Sequence, residues 1–179
     1  MTRFLLPLAA FVLLAVVLAI GIRHSPEKGV IASPLLGKPA PQFALPSLTD
    51  PAQQVRSTDL KGHWYLFNVW GTWCGGCREE HETLLQVHHA GVVPIIGLDW
   101  KDDDTQALGW LTQLGNPYQS VATDHSGREA IEWGVYGAPE TFLVNPQGIV
   151  VYKHIGALTT DTWTREILPR VSATAGGSS

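Results

Sequence analysis

The only two cysteines of the chain, Cys74 and Cys77, are separated by two residues. The uncharged run Trp64–Trp70 precedes them and predicts a buried strand, and the segment Arg78–Val87 that follows is compatible with a helix. A helix N-terminus offers unpaired N–H groups and a partial positive charge, and both favour a thiolate. A C-x-x-C pair at the start of a helix therefore predicts reversible dithiol–disulfide chemistry.

Two other uses of the cysteine pair fit the sequence less well. A zinc site needs two more sulfur or imidazole ligands at a matching spacing, and the sequence has neither a second C-x-x-C nor an H-x-x-x-H. The run His81–Leu85 begins like a metalloprotease helix, but Leu85 stands where the second histidine is required. A purely structural disulfide would close too short a loop to stabilise a domain much. The pattern thus favours a redox pair without a metal.

The N-terminus predicts a membrane anchor. Residues Phe4–Ile22 form an uncharged stretch of 19 residues, which would rise about 28 Å as a helix and could cross the core of a bilayer. A cleaved signal peptide is the alternative, although Ala19 and Gly21 are poor small residues for a cleavage site. Arg3 and Arg23 flank the stretch on opposite sides, so charge alone barely decides the orientation. The redox pair argues for export.

The remainder of the chain is long enough for one hydrophobic core and too short for two ordinary domains. Between Gly37 and Ser172 there are 15 Asp or Glu against 9 Lys or Arg, so this part has no electrostatic case for binding nucleic acid or anionic lipid. The predicted organisation is a cytoplasmic N-terminus (1–3), a transmembrane anchor (4–22), a linker (23–36), a folded domain (37–172) and a disordered tail (173–179).

The folded domain alternates strand-like and helix-like segments. Two apolar runs without polar alternation predict strands that are covered on both faces. The predicted strands are Trp64–Trp70, Val92–Trp100 with Pro94 near its start, and an antiparallel hairpin of Thr141–Val144 with Ile149–Tyr152. The predicted helices are Cys74–His88, Thr105–Leu114 capped within Asp102–Asp104, Arg128–Trp133, and Asp161–Val171 capped by Thr160 or Asp161.

Apart from the short helix Arg128–Trp133, these elements follow the order β-α-β-α-β-β-α with the redox pair at the first helix. This order predicts an α/β protein with the thioredoxin fold. In that fold a central mixed β-sheet is flanked by helices, and the crossover between the first two strands is right-handed. Ahead of it, Gly37–Leu45 predicts an added N-terminal strand.

Four segments carry a resemblance to a known family. They are Asn68–Cys74 (NVWGTWC), Cys77–His81 (CREEH), Leu114–Tyr118 (LGNPY) and Gly134–Leu143 (GVYGAPETFL). On these segments the chain resembles the DsbE/CcmG family, the membrane-anchored thioredoxin-like thiol:disulfide oxidoreductases of bacterial cytochrome c maturation. The chain departs from the family pattern at Gly75 and Gly76, because members usually carry a proline between the cysteines. Glycine does not preset φ as proline does, and this difference bears on the redox potential.

The resemblance implies an enzyme, a protein-disulfide reductase of the periplasm that one helix holds in the bacterial inner membrane. It implies that the enzyme reduces the disulfide of apocytochrome c, or of its thiol-handling partners, so that haem can attach to a free C-x-x-C-H pair. A membrane thiol transporter would return electrons to Cys74 and Cys77. No organic cofactor and no metal is implied beyond the redox-active disulfide.

Five residues are predicted to form the site. Cys74 lies nearest the helix start and is expected to be exposed and to attack, and Cys77 is expected to be less accessible and to resolve the mixed disulfide. The resemblance implies a cis peptide at Ala138–Pro139 beside the cysteines. Glu80 and Glu140 are expected to converge on Cys74, raise the pKa of its thiol and make the pair a stronger reductant. The alternatives are a trans turn proline and two solvated glutamates.

Asn68 stands where general thioredoxins carry a buried aspartate that assists proton transfer. Because an amide does not titrate, we expect Glu80 or Glu140 to take over this proton transfer. Other aromatic and imidazole side chains near the pair are expected to have no chemical role. Trp70 and Trp73 are predicted to pack around the site, and His81, His88 and His89 to lie on the helix surface.

Three other functions share part of this pattern. A general periplasmic oxidant needs a strongly stabilised thiolate, and the predicted positions of Glu80 and Glu140 argue against one. A TlpA-like reductant that serves copper-site assembly in oxidases would share the direction of electron flow. A copper-binding module of the same fold spaces its cysteines by three and adds a histidine, whereas Cys74 and Cys77 are spaced by two.

Overall fold

A computed structural model of the chain describes residues 33–175 and, before them, only residues 7, 11, 13 and 14. The predicted anchor lies outside the described residues apart from those four, as do most of the linker and residues 176–179. No helix within the described part has the length and apolar character needed to cross a membrane. The chain divides into two units, residues 1–32 and 33–179, and the second contains the cysteine pair.

A mixed sheet of five strands forms the centre of the domain. Its strands are β3 (Tyr65–Trp70), β4 (Ile95–Trp100), β5 (Ser120–Asp124), β6 (Glu140–Val144) and β7 (Val150–Ile155). In space they follow the order β5–β4–β3–β6–β7. β3 pairs in parallel with β4 and β4 in parallel with β5, whereas β6 is antiparallel to both β3 and β7.

The helices of the domain begin close to where the sequence predicts. α1 is Gly75–Ala90, α2 is Asp104–Leu114 and α3 is Arg128–Glu132. The Asp103 side chain caps α2 by accepting a hydrogen bond from the Gln106 N–H at 3.0 Å. The last helix, α4, consists of Thr160–Thr162, a π-helical stretch Trp163–Ile167, and Leu168–Ala175. It therefore extends three residues into the predicted tail.

Side chains from the two faces of the sheet form two layers of core. Leu66, Trp70 and Ile95 lie on one face with residues of α1, α2 and α4. Phe67 and Ile96 lie on the other face, where the Phe67 ring stacks on Trp133 of the α3 end with centroids 4.0 Å apart. All six residues of β3 are buried, as the unbroken apolar run predicts. Each fully buried side chain of this kind contributes about 1.5–3 kcal/mol.

An N-terminal extension spans the sheet. β1 (Ala44–Pro46) and β2 (Gln54–Arg56) form an antiparallel pair, so the predicted extra strand is present, although it is shorter and starts later than Gly37–Leu45. The segment of residues 37–48, here called the N-terminal strap, bridges both outer strands of the sheet. Pro39 pairs with Ile149 beside β7, and Ser47 pairs with Ala122 of β5.

One strand of the sheet has no counterpart in the sequence prediction. β5 reads Ser-Val-Ala-Thr-Asp, a mixture of small and polar residues with a single β-branched aliphatic side chain. Its position is set by backbone pairing with β4, which a local pattern does not reveal. The thioredoxin fold is confirmed, and the strands absent from the prediction are β5 of this sheet and β2 of the N-terminal extension.

Candidate active site

The two cysteines form a disulfide at the N-terminus of α1. Their sulfurs are 2.11 Å apart, and Cys74 is the N-cap of the helix, where its Sγ accepts a hydrogen bond from the Cys77 N–H at 3.1 Å. The expectation that Cys74 is exposed is wrong for this oxidised state. Cys74 is 5 % exposed and Cys77 is 3 % exposed, because the Cys74 sulfur is directed at the helix end. The same N–H and the helix dipole would favour a Cys74 thiolate after reduction.

The two glycines between the cysteines occupy different environments. The peptide bond Ala138–Pro139 is cis, and a Cβ added at Gly76 would lie 2.9 Å from Pro139 Cδ. A Cβ added at Gly75 would meet nothing within 4 Å. Gly76 thus allows the proline loop to approach the start of α1, whereas Gly75 leaves room for a side chain.

Glu80 lies one turn beyond Cys77 on the buried face of α1 and is 0 % exposed. Its Oε1 accepts a hydrogen bond from Asn68 Nδ2 at 2.8 Å, and its Oε2 accepts one from the Leu158 N–H at 2.8 Å. Burial raises the pKa of Glu80 from its ordinary value of 4.5 to about 7, although the two hydrogen bonds act in the opposite direction. Glu80 is therefore a buried carboxyl that changes charge near neutral pH, and the solvated alternative is excluded.

Asn68 connects Glu80 to Tyr118. The Tyr118 hydroxyl donates to Asn68 Oδ1 at 2.8 Å, and Asn68 Nδ2 also donates to Thr141 Oγ1 at 3.0 Å. Burial, with the charges of Glu80 and Asp99, raises the pKa of Tyr118 well above its ordinary value. Within this cluster only Glu80 can exchange a proton near neutral pH.

Glu140 is also 0 % exposed, but its charge is compensated. Its Oε1 accepts hydrogen bonds from the N–H groups of Tyr136 at 2.8 Å and Gly137 at 3.3 Å. Its Oε2 lies 2.8 Å from Lys153 Nζ, in a buried ion pair. The solvated alternative is therefore excluded for Glu140, and the ion pair offsets the negative charge that was expected to act on Cys74. Glu140 instead holds the loop that leads into Pro139.

Sequence reasoning missed Lys153. Its Nζ donates to the Gly134 carbonyl at 2.8 Å and lies 4.6 Å from the centre of the Tyr136 ring, so it joins β7 to the proline loop. Lys153 pairs with Phe142, but a bulge between Val150 and Tyr152 breaks the alternation of side chains along β7, so the local pattern does not reveal its burial. The predicted strand ended at Tyr152, one residue before Lys153 and three before the end of β7.

Comparison with known proteins agrees with this geometry. The Redoxin family model matches residues 35–168 of the chain. A thiol:disulfide interchange protein DsbE from Allochromatium vinosum is 43 % identical over 175 residues, which cover 98 % of this chain and 96 % of the relative. A DsbE from Pseudomonas aeruginosa is 44 % identical over 165 residues, covering 92 % and 90 %. The chain belongs to the DsbE family.

As a member of the DsbE family with its cysteine pair at disulfide distance, the protein is a thiol:disulfide oxidoreductase. Its fold matches a secreted thiol-disulfide isomerase from Corynebacterium glutamicum with a TM-score of 0.66 at 23 % identity, over 74 % of this chain and 85 % of that one. The predicted enzyme class and fold are thus confirmed.

The DsbE-family chain has a further buried acid beside the site. Asp99 of β4 lies next to Trp70 in the strand register and is 0 % exposed. Neither of its oxygens has a hydrogen-bond partner of normal geometry among the described residues. Burial, with the nearby charges of Asp102 and Asp104, raises the pKa of Asp99 from 3.8 to about 8. Asp102 in turn accepts hydrogen bonds from the N–H and, at 2.7 Å, the hydroxyl of Thr72, two residues before Cys74.

Replacing Asp99 by asparagine should make the stability of the oxidised protein less dependent on pH. The folded state holds the Asp99 proton more tightly than the unfolded state, so this group lowers the free energy of unfolding as pH rises from about 4 to about 8. We expect the free energy of unfolding of Asp99→Asn to exceed that of the wild type by on the order of 5 kcal/mol at pH 9 and to differ little at pH 4. Urea unfolding at both pH values measures this. A difference that is equal at the two pH values would contradict it.

The aromatic and imidazole predictions have mixed outcomes. Trp70 is buried and stacks on Tyr118 with ring centroids 5.4 Å apart, as expected of a packing residue. Trp73 is instead 53 % exposed, and its Nε1 donates to the Trp100 carbonyl at 3.2 Å.

His81 is wrongly predicted to lie on the surface. It is 6 % exposed and accepts a hydrogen bond from Trp110 Nε1 at 3.2 Å, because α2 covers this face of α1. The remaining two histidines, His88 and His89, are exposed as predicted.

Proposed function

We propose that the chain reduces protein disulfides in the periplasm during cytochrome c biogenesis. The direction of electron transfer, from this protein to its client, is supported by Glu80. This buried carboxyl lies one helical turn from Cys77 and has no cationic partner among the described residues. A negative charge there disfavours a thiolate of the pair, and a less stable thiolate favours the disulfide form. A protein that prefers its own disulfide gives electrons to other disulfides.

The reaction follows from the positions of the two cysteines. The Cys74 thiolate attacks one sulfur of the client disulfide, which forms a mixed disulfide and releases one client thiolate. Cys77 then loses its proton to Glu80 and attacks the Cys74 sulfur, which releases the second client sulfur and leaves Cys74 and Cys77 oxidised. Two electrons pass to the client, and its two thiolates take up two protons, one of them from Glu80.

The client would bind where exposed aromatic groups flank the disulfide. Trp73 is 53 % exposed on one side, and Tyr136 of the proline loop is 58 % exposed. A proline has no N–H, and the backbone beside Pro139 can pair with an extended client segment. An open groove leads away from Trp73 along α2 and is lined by Arg78, Lys101, Asp102 and Gln106, among others.

The setting of this reaction in the cell is part of the proposal. The apolar stretch Phe4–Ile22 would anchor the chain in the bacterial inner membrane by a single span, with the folded domain in the periplasm. The client is the C-x-x-C-H disulfide of apocytochrome c or of its thiol-handling partners. A membrane thiol transporter would re-reduce Cys74 and Cys77, because the periplasm is oxidising. The disulfide is the only redox group that the proposal requires.

Direct reduction of a client peptide tests this function. Reduced protein is mixed with a disulfide-closed C-x-x-C-H peptide at pH 8, and the equilibrium is compared with that of the Glu80→Gln variant. Removing the charge should raise the reduction potential by about 30 mV, which is a tenfold loss in the equilibrium constant for peptide reduction. Glu79→Gln is the matched control, because Glu79 is exposed on the same helix turn. Failure of the wild type to reduce the peptide, or equal potentials in the two variants, would contradict the proposal.

A further inference from the structure

The Tyr118 hydroxyl contacts the amide of Asn68 from the side opposite Glu80. Tyr118 is 5 % exposed, and its ring stacks on Trp70. Gly97 of β4 leaves room for the ring, because a Cβ at that position would lie 3.0 Å from Tyr118 Cδ1. The hydroxyl is thus fixed by packing and donates to Asn68 Oδ1 at 2.8 Å.

The Asn68 amide could adopt two orientations, and they differ in what they offer Glu80. In the observed orientation Nδ2 donates to Glu80 Oε1 at 2.8 Å, which stabilises a carboxylate. In the reversed orientation Oδ1 would face Glu80, and two acceptors would oppose each other unless Glu80 carried a proton. The orientation of the amide is therefore coupled to the charge of Glu80.

Two hydroxyl groups contact this amide, but only one of them selects its orientation. The Thr141 hydroxyl can accept from Nδ2, as observed at 3.0 Å, or donate to Oδ1 after reversal. The Tyr118 proton would lose its acceptor after reversal, because within residues 33–175 its hydroxyl makes no hydrogen bond other than that to Asn68. A buried donor without an acceptor destabilises the folded state. Tyr118 therefore holds Nδ2 toward Glu80.

We propose that Tyr118 is a positioning residue which, by orienting the Asn68 amide, keeps Glu80 available as a carboxylate to accept the Cys77 proton. This inference rests on the proton-accepting role of Glu80 in the proposed function. Within the described residues the Tyr118 hydroxyl makes no hydrogen bond to either cysteine sulfur, and it acts through Asn68.

Few titratable groups face Glu80 from the elements around it. Cys77 lies one turn away on α1, and Tyr118 approaches from the segment before β5. β4 contributes Asp99, whose negative charge raises the pKa of Tyr118. β6 contributes Thr141, which does not titrate, and the segment before α4 contributes only the Leu158 N–H. Because Asp99 also titrates near neutral pH, the effect of replacing Tyr118 must be read at the Glu80 carboxyl itself.

Tyr118→Phe is the test, because phenylalanine keeps the ring that packs on Trp70 and removes only the hydroxyl. We expect the pKa of Glu80 to rise by about one pH unit in the oxidised protein, since the amide is free to reverse and the protonated carboxyl gains an acceptor. Titration of the Glu80 side-chain carboxyl by carbon-13 NMR measures this directly and needs no client. Thr141→Val is the matched control, for which we expect less than half of that shift.

The kinetic consequence is read from the pH profile of the resolving step. Decay of a preformed mixed disulfide on Cys74 should shift its pH midpoint upward in Tyr118→Phe. The shift should vanish in the Glu80→Gln background, whereas a general loosening of packing would persist there. An unchanged Glu80 pKa in Tyr118→Phe, or equal shifts in Tyr118→Phe and Thr141→Val, would overturn the inference. If the NMR shift appears while the peptide is not reduced, the positioning role stands and the proposed function fails.

Discussion

Cys77→Ser should accumulate mixed disulfides with client peptides through Cys74, while overall turnover falls by roughly a hundredfold or more. The attacking sulfur remains at the helix N-terminus, where the N–H of residue 77 and the helix dipole favour its thiolate. The resolving sulfur is absent, so the intermediate does not decay by the internal route. Non-reducing electrophoresis and intact mass of the trapped adduct measure the outcome.

Cys74→Ser serves as the matched variant. It should lose turnover to the same degree but trap at least about tenfold less adduct, because the remaining Cys77 lies beyond the helix N-cap and lacks the N–H that favours a thiolate at Cys74. Both cysteines are nearly buried in the oxidised state, so this test decides the order of attack where exposure does not. Equal trapping by the two variants would refute the assignment of Cys74 as the attacking residue.

Lys153→Met should lower the free energy of unfolding by about 3–5 kcal/mol at pH 7. The substitution keeps most of the length of the side chain but leaves the buried Glu140 side chain without the ammonium group 2.8 Å away. Urea unfolding at pH 7 measures this loss.

Two further variants sharpen the test of the ion pair. Lys153→Arg keeps the positive charge and should lose far less stability than Lys153→Met. The double variant Lys153→Met with Glu140→Gln removes both charges and should recover part of the lost stability. A loss below about 1 kcal/mol in Lys153→Met would show that the pair does not hold the loop before Pro139.

The parts of the fold that were predictable from sequence are those encoded by neighbouring residues. The apolar run of β3 and the cysteine pair after it are contiguous, and they specify a buried strand that leads to a helix N-terminus. The cap of α2 at Asp103 and the strand start after Pro94 are likewise local signals. β5 was missed because its residues carry little strand signal and its place depends on β4.

The parts of the site that were missed depend on contacts between residues far apart in sequence. Glu80 accepts from the N–H of Leu158, which follows it by 78 residues, and no local pattern states that this partner buries the carboxyl. Lys153 and Glu140 form an ion pair across the β6–β7 hairpin. The residues next to Glu140 in sequence do not reveal that a lysine compensates its charge. His81 was misplaced because the helix that covers it, through Trp110, lies 29 residues further on.

The N-terminal strap has a consequence for association between molecules. An open sheet exposes unpaired backbone groups along its outer strands, and these groups can recruit a strand from another chain. Here the Gly37 N–H donates to the Val150 carbonyl at 2.8 Å beside β7, and the Leu48 N–H donates to the Val121 carbonyl at 2.9 Å at β5. One continuous segment thus occupies part of both edges. The fold thereby carries its own protection against edge-to-edge aggregation.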